Sequence, residues 1–461
     1  MTDTSGQTSS SSPSSSLSSE SHIKQLVDEL YDFRDKYFVR NAVAADVTTA
    51  AGDRTAATVK SRHSAVNNKL AEVLQEFDKL CAEWPTLDRT AVYCLQRGRA
   101  LNITDQYSDE AHQQLLRAVK LLPKSPEAWN QLGESYRKFG DTAAALNCFE
   151  SAVKYGPNKV SLRNTSMILR QLNGTVAERD SNLTKSVDKA KQALDCDLQD
   201  GISWYVLGNA YLTLFFRAPT TRNSGLLKLC KAAYIKANED EVAKCQSDYL
   251  YNYATVLHYE QEFAEALDCL QRATIVDPEW EQPAIKLLEL SNYFHDICDM
   301  IAKKASLKAR RLQTLIDQLV NKDTKHKLYA NRKLVTIGQL TQPSIAGAAA
   351  TGSAGDLLIC KVMAGISNSS AVASTYCAID SERQCCAIFM YNIAVPLGPK
   401  TGDTLVIAKP FCRDYDFEFG GKSYKFRAIR VDNPTHVLVN HKPISNDSIV
   451  LPHIENLLIN D

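Results

Sequence analysis

The sequence predicts a multidomain chain in which an all-α superhelix of stacked helix pairs is followed by a small all-β barrel. Three observations carry this. A dense pattern of small and aromatic residues between Pro126 and Asn158 recurs upstream and downstream. From His326 onward, helical spacing of apolar residues gives way to short β-rich runs separated by Gly, Pro and Asn. The chain has 461 residues, 44% of them hydrophobic, enough for two or three domains.

The central pattern reads Trp129, Leu132, Gly133, Tyr136, Gly140, Ala145, Phe149, Ala152 and Pro157, the signature of a tetratricopeptide (TPR) repeat. Gly133 and Ala145 are small so that two helices approach closely, and Pro157 ends the second helix because it lacks an N–H. One such pair cannot bury its own apolar face, so neighbours are required. Upstream, Gly98, Ala111, Leu115, Ala118 and Pro123 form one copy. Downstream, Leu162, Ser166 and Leu169 open a degenerate copy that resumes at Ser186, Ala190 and Ala193 after a polar insertion, Asn173 to Asn182. Trp204, Leu207, Gly208 and Tyr211 open the next, which resumes at Leu226 after an insertion from Arg217 to Gly225. The last runs from Leu250 through Ala266, Leu270 and Ala273 to Pro278.

Taken in order, residues 1–20 form a Ser/Thr-rich tail expected to be disordered. Residues 21–85 hold two helices, one over Leu26, Val27, Leu30, Phe33 and Tyr37 and one over Val66 to Leu80, expected to cap the first repeat; Asn41–Arg54 loses the pattern. The repeat array occupies residues 86–298 and closes with an apolar helix over Ile285 to Ile297. Residues 299–325 carry Lys303, Lys304, Lys308, Arg310 and Arg311 on a helical segment, a one-sided run suited to a phosphate partner.

Residues 326–461 form the β domain, with strands expected near 328–337, 357–363, 375–379, 385–391, 404–408, 424–431 and 436–439. Turn signals at Gly338, Ala346–Gly355, Gly402, Gly420-Gly421 and Asn433-Pro434 separate them. An OB-fold is the first choice, and a small sandwich has the same periodicity. Tyr415, Phe417, Phe419, Tyr424 and Phe426, beside Lys422, Lys425 and Arg427, read either as barrel core or as a base-stacking platform.

Composition narrows the function. Lys plus Arg and Asp plus Glu both total 53, so overall charge favours no partner class. Thirteen scattered cysteines, none at zinc spacing, read as reduced thiols of a cytoplasmic or nuclear chain. No signal-peptide pattern and no stretch of membrane-spanning length is seen, so no membrane partner is expected. Gly421-Lys422-Ser423 is no P-loop, because Asp416 stands where that loop needs glycine. His436 and His441 lack partner ligands at zinc spacing. No catalytic motif is present, so the expectation is a non-enzyme without a cofactor.

In a TPR array the inner wall comes mainly from each repeat's first helix, at roughly positions 2, 5, 9 and 12. Those positions are Glu127, Asn130, Glu134 and Arg137; Val160, Arg163, Met167 and Arg170; Ile202, Tyr205, Asn209 and Leu212; and Asp248, Tyr251, Thr255 and His258. Arg163 and Arg170 on one side and Asp248 on the other suit a peptide of mixed charge. Asn209 and Asn252 are candidates for its backbone.

The repeats, the run Met167-Ile168-Leu169-Arg170-Gln171-Leu172, the run Ser203-Trp204-Tyr205 with Leu207-Gly208-Asn209, and the terminal β domain resemble the tetratricopeptide repeat protein 5 (Strap) family. The resemblance covers nearly the whole chain past residue 20. It implies TPR repeats joined to an OB-fold, and recognition of the Met-Arg-Glu N-terminus of nascent tubulin on the ribosome, followed by mRNA decay through adaptor proteins. It also implies a nuclear, stress-responsive role with an acetyltransferase co-activator and chromatin. By resemblance Arg170 pairs with the peptide glutamate, Asp248 receives the peptide arginine, and Lys308 and Arg310 lie on the ribosome-contacting helix.

Overall fold

The computed structural model describes residues 13–37, 62–84, 86–217, 224–329, 332–340, 356–367, 373–394 and 397–449. The Asn41–Arg54 stretch, the Ala346–Gly355 loop and most of the Arg217–Gly225 insertion lie outside them. The chain packs as two compact units, Met1–Tyr253 with Arg272–Trp280, and Ala254–Gln271 with Glu281–Leu457.

In the first unit, α1 (Pro13–Asp35) and α2 (Arg62–Glu83) precede the helix pairs α3 (Ala91–Leu101) and α4 (Asp109–Leu121), α5 (Pro126–Phe139) and α6 (Thr142–Tyr155), α7 (Lys159–Gln171) and α8 (Val176–Cys196), and α9 (Gly201–Arg217) and α10 (Ser224–Ala237). The fifth pair is α11 (Ser247–Tyr259) and α12 (Phe263–Val276), and the division between the units runs through it. The starts are set locally. Ser125, Asp141 and Asn158 each accept a hydrogen bond from the backbone N–H three residues on, and Thr175 with Glu178 forms a reciprocal capping box. Gly140, at φ 92°, ends α5 in a conformation other residues resist.

The repeat glycines set how closely the two helices of a pair approach. A Cβ on Gly133 would lie 2.6 Å from the Phe149 ring, and one on Gly208 2.4 Å from the Tyr234 ring. Such overlap is costly in a close-packed core. The Ser/Thr-rich segment is not wholly outside the fold, since α1 already begins at Pro13, a residue suited to a helix's first turn.

α1 and α2 do more than cap the first repeat. Ile23, Val27 and Leu30 are fully buried with Val73, Phe77, Tyr93 and Ile103, as expected of a cap. Phe33 and Tyr37, however, join Cys245 and Val276 of the last repeat in a separate apolar cluster. The helix therefore spans the array. Its apolar residues surround too much of its circumference for one contact face.

The second unit contains the remainder of α11 and α12, α13 (Glu281–Ala302), α14 (Ala309–Gln318) and, among the described residues, nine strands: β1 (Lys333–Val335), β2 (Asp356–Ile366), β3 (Ser374–Ile379), β4 (Cys385–Met390), β5 (Thr404–Ala408), β6 (Phe411–Phe419), β7 (Lys422–Val431), β8 (Val437–Val439) and β9 (Lys442–Pro443). The sheet order is β6-β7-β4-β3-β2-β5-β8-β9, with β1 added parallel to β2. β2, β3 and β4 form an antiparallel meander, and β7 returns parallel to β4. β6 is not among the strands expected from the sequence, because its charges (Arg413, Asp414, Asp416, Glu418) resemble a loop; they lie on an edge, where charge discourages further pairing. Gly420 and Gly421, with φ of 58° and 72°, close the β6–β7 hairpin.

Three of the five barrel aromatics pack against the rings of α12 and α13 and offer no base-stacking face, while Phe417 and Phe419 are half-buried. Tyr415, Tyr424 and Phe426 are buried. Phe263 lies 4.6 Å from Phe294 and 4.8 Å from Tyr415 between ring centroids, and Phe294 lies 5.5 Å from Phe417. The Tyr415 hydroxyl donates to Gln261 (2.9 Å) and Arg430 donates to the Tyr259 carbonyl (2.7 Å), so polar tips are satisfied as well.

Candidate peptide-binding site

The candidate site is built from the first helices α7, α9 and α11. α9 carries Tyr205, whose hydroxyl donates to the Asp248 carboxylate at the start of α11. Tyr205 itself is buried, whereas Asp248 is half-buried and keeps a face toward solvent. One turn on, Asn209 accepts from the Tyr234 hydroxyl of α10 (2.6 Å) and from the Asn252 side chain (3.2 Å). Tyr251 packs at 5.1 Å from Trp280. These contacts bring Tyr205, Asn209, Asp248 and Asn252 together across two repeats.

Asn209 and Asn252 are 2% and 1% exposed, buried as closely as Arg170, and their amides join α9, α10 and α11. Thr255 and His258 are also buried; Lys286 donates to the Thr255 hydroxyl (2.7 Å), and burial pushes the His258 imidazole down to about 3.

α7 carries the two arginines, and they differ. Arg163 donates to Asp200 at 2.8 Å, and Lys159 joins the same carboxylate at 3.0 Å. Burial alone would raise the Asp200 carboxyl, but Arg163, Ser203 and Lys159 bring it below its usual range. Arg170 is 3% exposed and donates to the Ser166 hydroxyl (3.1 Å), which itself donates to the Ser186 carbonyl of α8 (2.8 Å). A guanidinium fixed in this way, away from bulk water, is a strong and directional donor to any carboxylate that reaches it. Of the other inward positions, Asn130 donates to Ser161 (2.9 Å), Glu134 pairs with Arg137 (2.6 Å), Met167 and Leu212 are buried, and Val160 is exposed.

The basic run lies in the second unit and is not one helix. α13 ends at Ala302, and Lys304, Ala305 and Ser306 all take positive φ (49°, 54° and 52°) before α14 starts at Ala309 with Lys308 as its N-cap. Lys303, Lys308, Arg310 and Arg311 are exposed and Lys304 is half-buried, so the charges are displayed around a sharp break. Lys303 pairs with Asp299 at 2.7 Å. Among the described residues no group of three or more His, Cys, Asp and Glu side chains is placed to hold a metal ion. No described helix is long and apolar enough to cross a membrane.

Comparison with known proteins agrees with this architecture. Residues 339–452 match the family described as tetratricopeptide repeat protein 5 OB fold domain, and residues 126–159 match the tetratricopeptide repeat. Human tetratricopeptide repeat protein 5 is 33% identical over 437 residues, 92% of this chain and 94% of its own. The Bos taurus protein is 33% identical over 438 residues with the same coverage of both chains. Among solved structures, a thermophilic TPR protein of Thermus thermophilus matches 44% of this chain and 98% of its own, at 18% identity and a TM-score of 0.37. With the family matched over nearly its full length, and helix pairs followed by an OB-fold sheet in the same order, this chain belongs to the tetratricopeptide repeat protein 5 family.

Proposed function

We propose that this protein is a non-enzymatic adaptor whose repeat array reads the N-terminus of nascent tubulin on the ribosome and thereby triggers decay of the tubulin message. One observation carries the reading: Asp248 is held by Tyr205 with a face toward solvent, in the same compact unit as α7, the first helix of the repeat that carries Arg170. That arrangement supports an arginine of the ligand meeting Asp248 and an acidic side chain meeting Arg170. Arg163, the other arginine candidate, is engaged by Asp200.

Two charge-assisted contacts contribute about 1.5–3 kcal/mol each before ordering costs. A millimolar complex already needs about 4 kcal/mol, so a short peptide alone binds weakly. Docking of Lys303, Lys304, Lys308, Arg310 and Arg311 on ribosomal RNA raises the local concentration and makes the pair effective. The message-decay adaptors act after this step, in the cytoplasm. A nuclear co-activator scaffold that binds an acetyltransferase, with the OB-fold contacting chromatin or DNA, is the alternative; burial of Tyr415, Tyr424 and Phe426 withdraws support for base stacking on those three rings.

The test is a pelleting assay with ribosomes translating tubulin. Arg170→Ala and Asp248→Ala each reduce recovery of these ribosomes at least about tenfold, with circular dichroism unchanged. Charge reversal of Lys308 and Arg310 together lowers recovery on all ribosomes. Equal recovery by all variants and the wild type would exclude the groove as the reader.

A further inference from the structure

In an OB-fold the second and third strands of the barrel carry the outer face that takes oligonucleotides. Here β2 is the first strand, paired with β3 on one side and β5 on the other, so that face belongs to β3 and β4. Side chains alternate along a strand. Tyr376, Ala378, Cys386, Ile388 and Met390 face the barrel interior, which turns Thr375, Cys377, Ile379, Ala387 and Phe389 outward. None of these five outward residues is more than 2% exposed. The chain's own helix α13 covers them. The Tyr293 and Thr375 hydroxyls meet at 2.6 Å, the Cys377 thiol donates to the Met300 carbonyl at 3.6 Å, and the Phe389 ring lies 6.5 Å from Tyr293 and 5.8 Å from Phe263 of α12.

The next helix, α14, is fastened to the same barrel. Leu315 and Ile316 are buried, and Gln313 accepts from Arg383 of the β3–β4 turn at 2.6 Å. Just past its end Leu319 packs with Ile359 of β2 and Val406 of β5. Between the two anchored helices runs the basic turn, in which Lys304, Ala305 and Ser306 hold φ of 49°, 54° and 52°. Three successive left-handed residues with a Cβ are unfavourable in a free chain and persist where their surroundings hold them. The anchors on both sides supply that hold.

We propose that the barrel has given its oligonucleotide face to α13 and serves instead as a rigid mount, which fixes the cations of residues 303–311 at a set spacing for a phosphate backbone. The inference rests on the phosphate reading of that run above. It makes Gln313 and Arg383 positioning residues for the run. Cations already held in place meet a phosphate backbone with less chain freedom to lose, whereas the same cations on a slack loop keep their charge and lose that advantage.

The experiment uses the full chain and vacant ribosomes, with pelleting repeated over a range of salt concentrations. Two glycines inserted between Ser306 and Leu307 change no charge; they weaken binding about fivefold and flatten the dependence of affinity on salt, because fewer phosphates are met at once. Gln313→Ala, which leaves the backbone intact, gives about a twofold loss with an unchanged urea midpoint, and decides the matter if the insertion lowers that midpoint. Wild-type affinity and salt dependence in both variants, with Lys308→Glu and Arg310→Glu together still losing binding, would overturn the mount and leave docking of the basic run standing. If the charge-reversed variant also binds like wild type, the phosphate reading itself fails. Photo-crosslinking to single-stranded RNA carrying 4-thiouridine reads the covered face directly. Adducts fall within residues 303–311; adducts on Thr375, Cys377 or Phe389 would overturn the proposal.

Discussion

Asp248 in the repeat array and Asp323 in the OB-fold unit are both aspartates held by hydroxyls, and they differ in burial. Asp323 sits in a π-turn (Leu319–Asp323) that extends α14 and points it inward. It receives Lys361 at 3.0 Å, Thr404 at 3.0 Å and His441 at 3.1 Å, from three separate stretches of chain. His441 is further fixed by the Tyr329 hydroxyl at 3.0 Å and a stack on His326, so the histidines singled out by the sequence include one structural latch. Asp323 is 2% exposed and its charge is cancelled from within. Asp248 keeps a solvent face. The lesson is that a buried carboxylate matched by an internal cation fastens a fold, whereas the half-buried Asp248 keeps the exposure that the proposed receptor role requires.

The comparison breaks most sharply on stability. Asp323→Ala leaves Lys361 charged in the barrel core without its carboxylate, a loss of about 3–5 kcal/mol, seen as a lower urea midpoint. Asp248→Ala moves that midpoint far less while removing peptide binding. Equal losses of stability would erase the distinction between latch and receptor.

A smaller effect tests whether the array wall needs its close packing. Gly208→Ala drives a Cβ to 2.4 Å from the Tyr234 ring, whose hydroxyl braces Asn209. Denaturation should show about 1–3 kcal/mol lost, with weaker peptide affinity. Gly365→Ala in β2 meets nothing within 4 Å and should stay within about 0.5 kcal/mol of wild type.

The smallest effect is electrostatic. The native Asp200 carboxyl titrates below its unfolded value. Its contribution is therefore present above about pH 4 and is lost as pH falls through the lower native value. Melting of Asp200→Asn between neutral pH and pH 3 should lack that increment, about 1 kcal/mol after screening by solvent.

Much of the architecture is legible in residue spacing. Trp129, Gly133, Phe149 and Pro157 act within one repeat, and a repeat's contacts are local in the chain, so the pattern and the fold carry the same information. Most of the β-runs are legible too, but β6 and β9 are not, and the run expected over 328–337 holds only the short β1. The path of α1 is not, although its excess of apolar positions (Ile23, Leu26, Val27, Leu30, Phe33, Tyr37) hints at burial on more than one side. Nor are the contacts of Asn209 and Asn252, whose amides meet each other and the Tyr234 hydroxyl only in the fold.

By itself the sequence determined that helix pairs stack in series, that a small β domain follows, and which side chains project from each repeat's first helix. Only the tertiary structure decided which of those side chains stay accessible: Asp200 engages Arg163, Tyr205 steadies Asp248, and the N-terminal helix packs on the first repeat. The reason is range. Periodicity records contacts between residues a few positions apart, whereas accessibility depends on partners such as Tyr31 and Gln131, or Tyr205 and Asp248, that the fold brings together from distant parts of the chain.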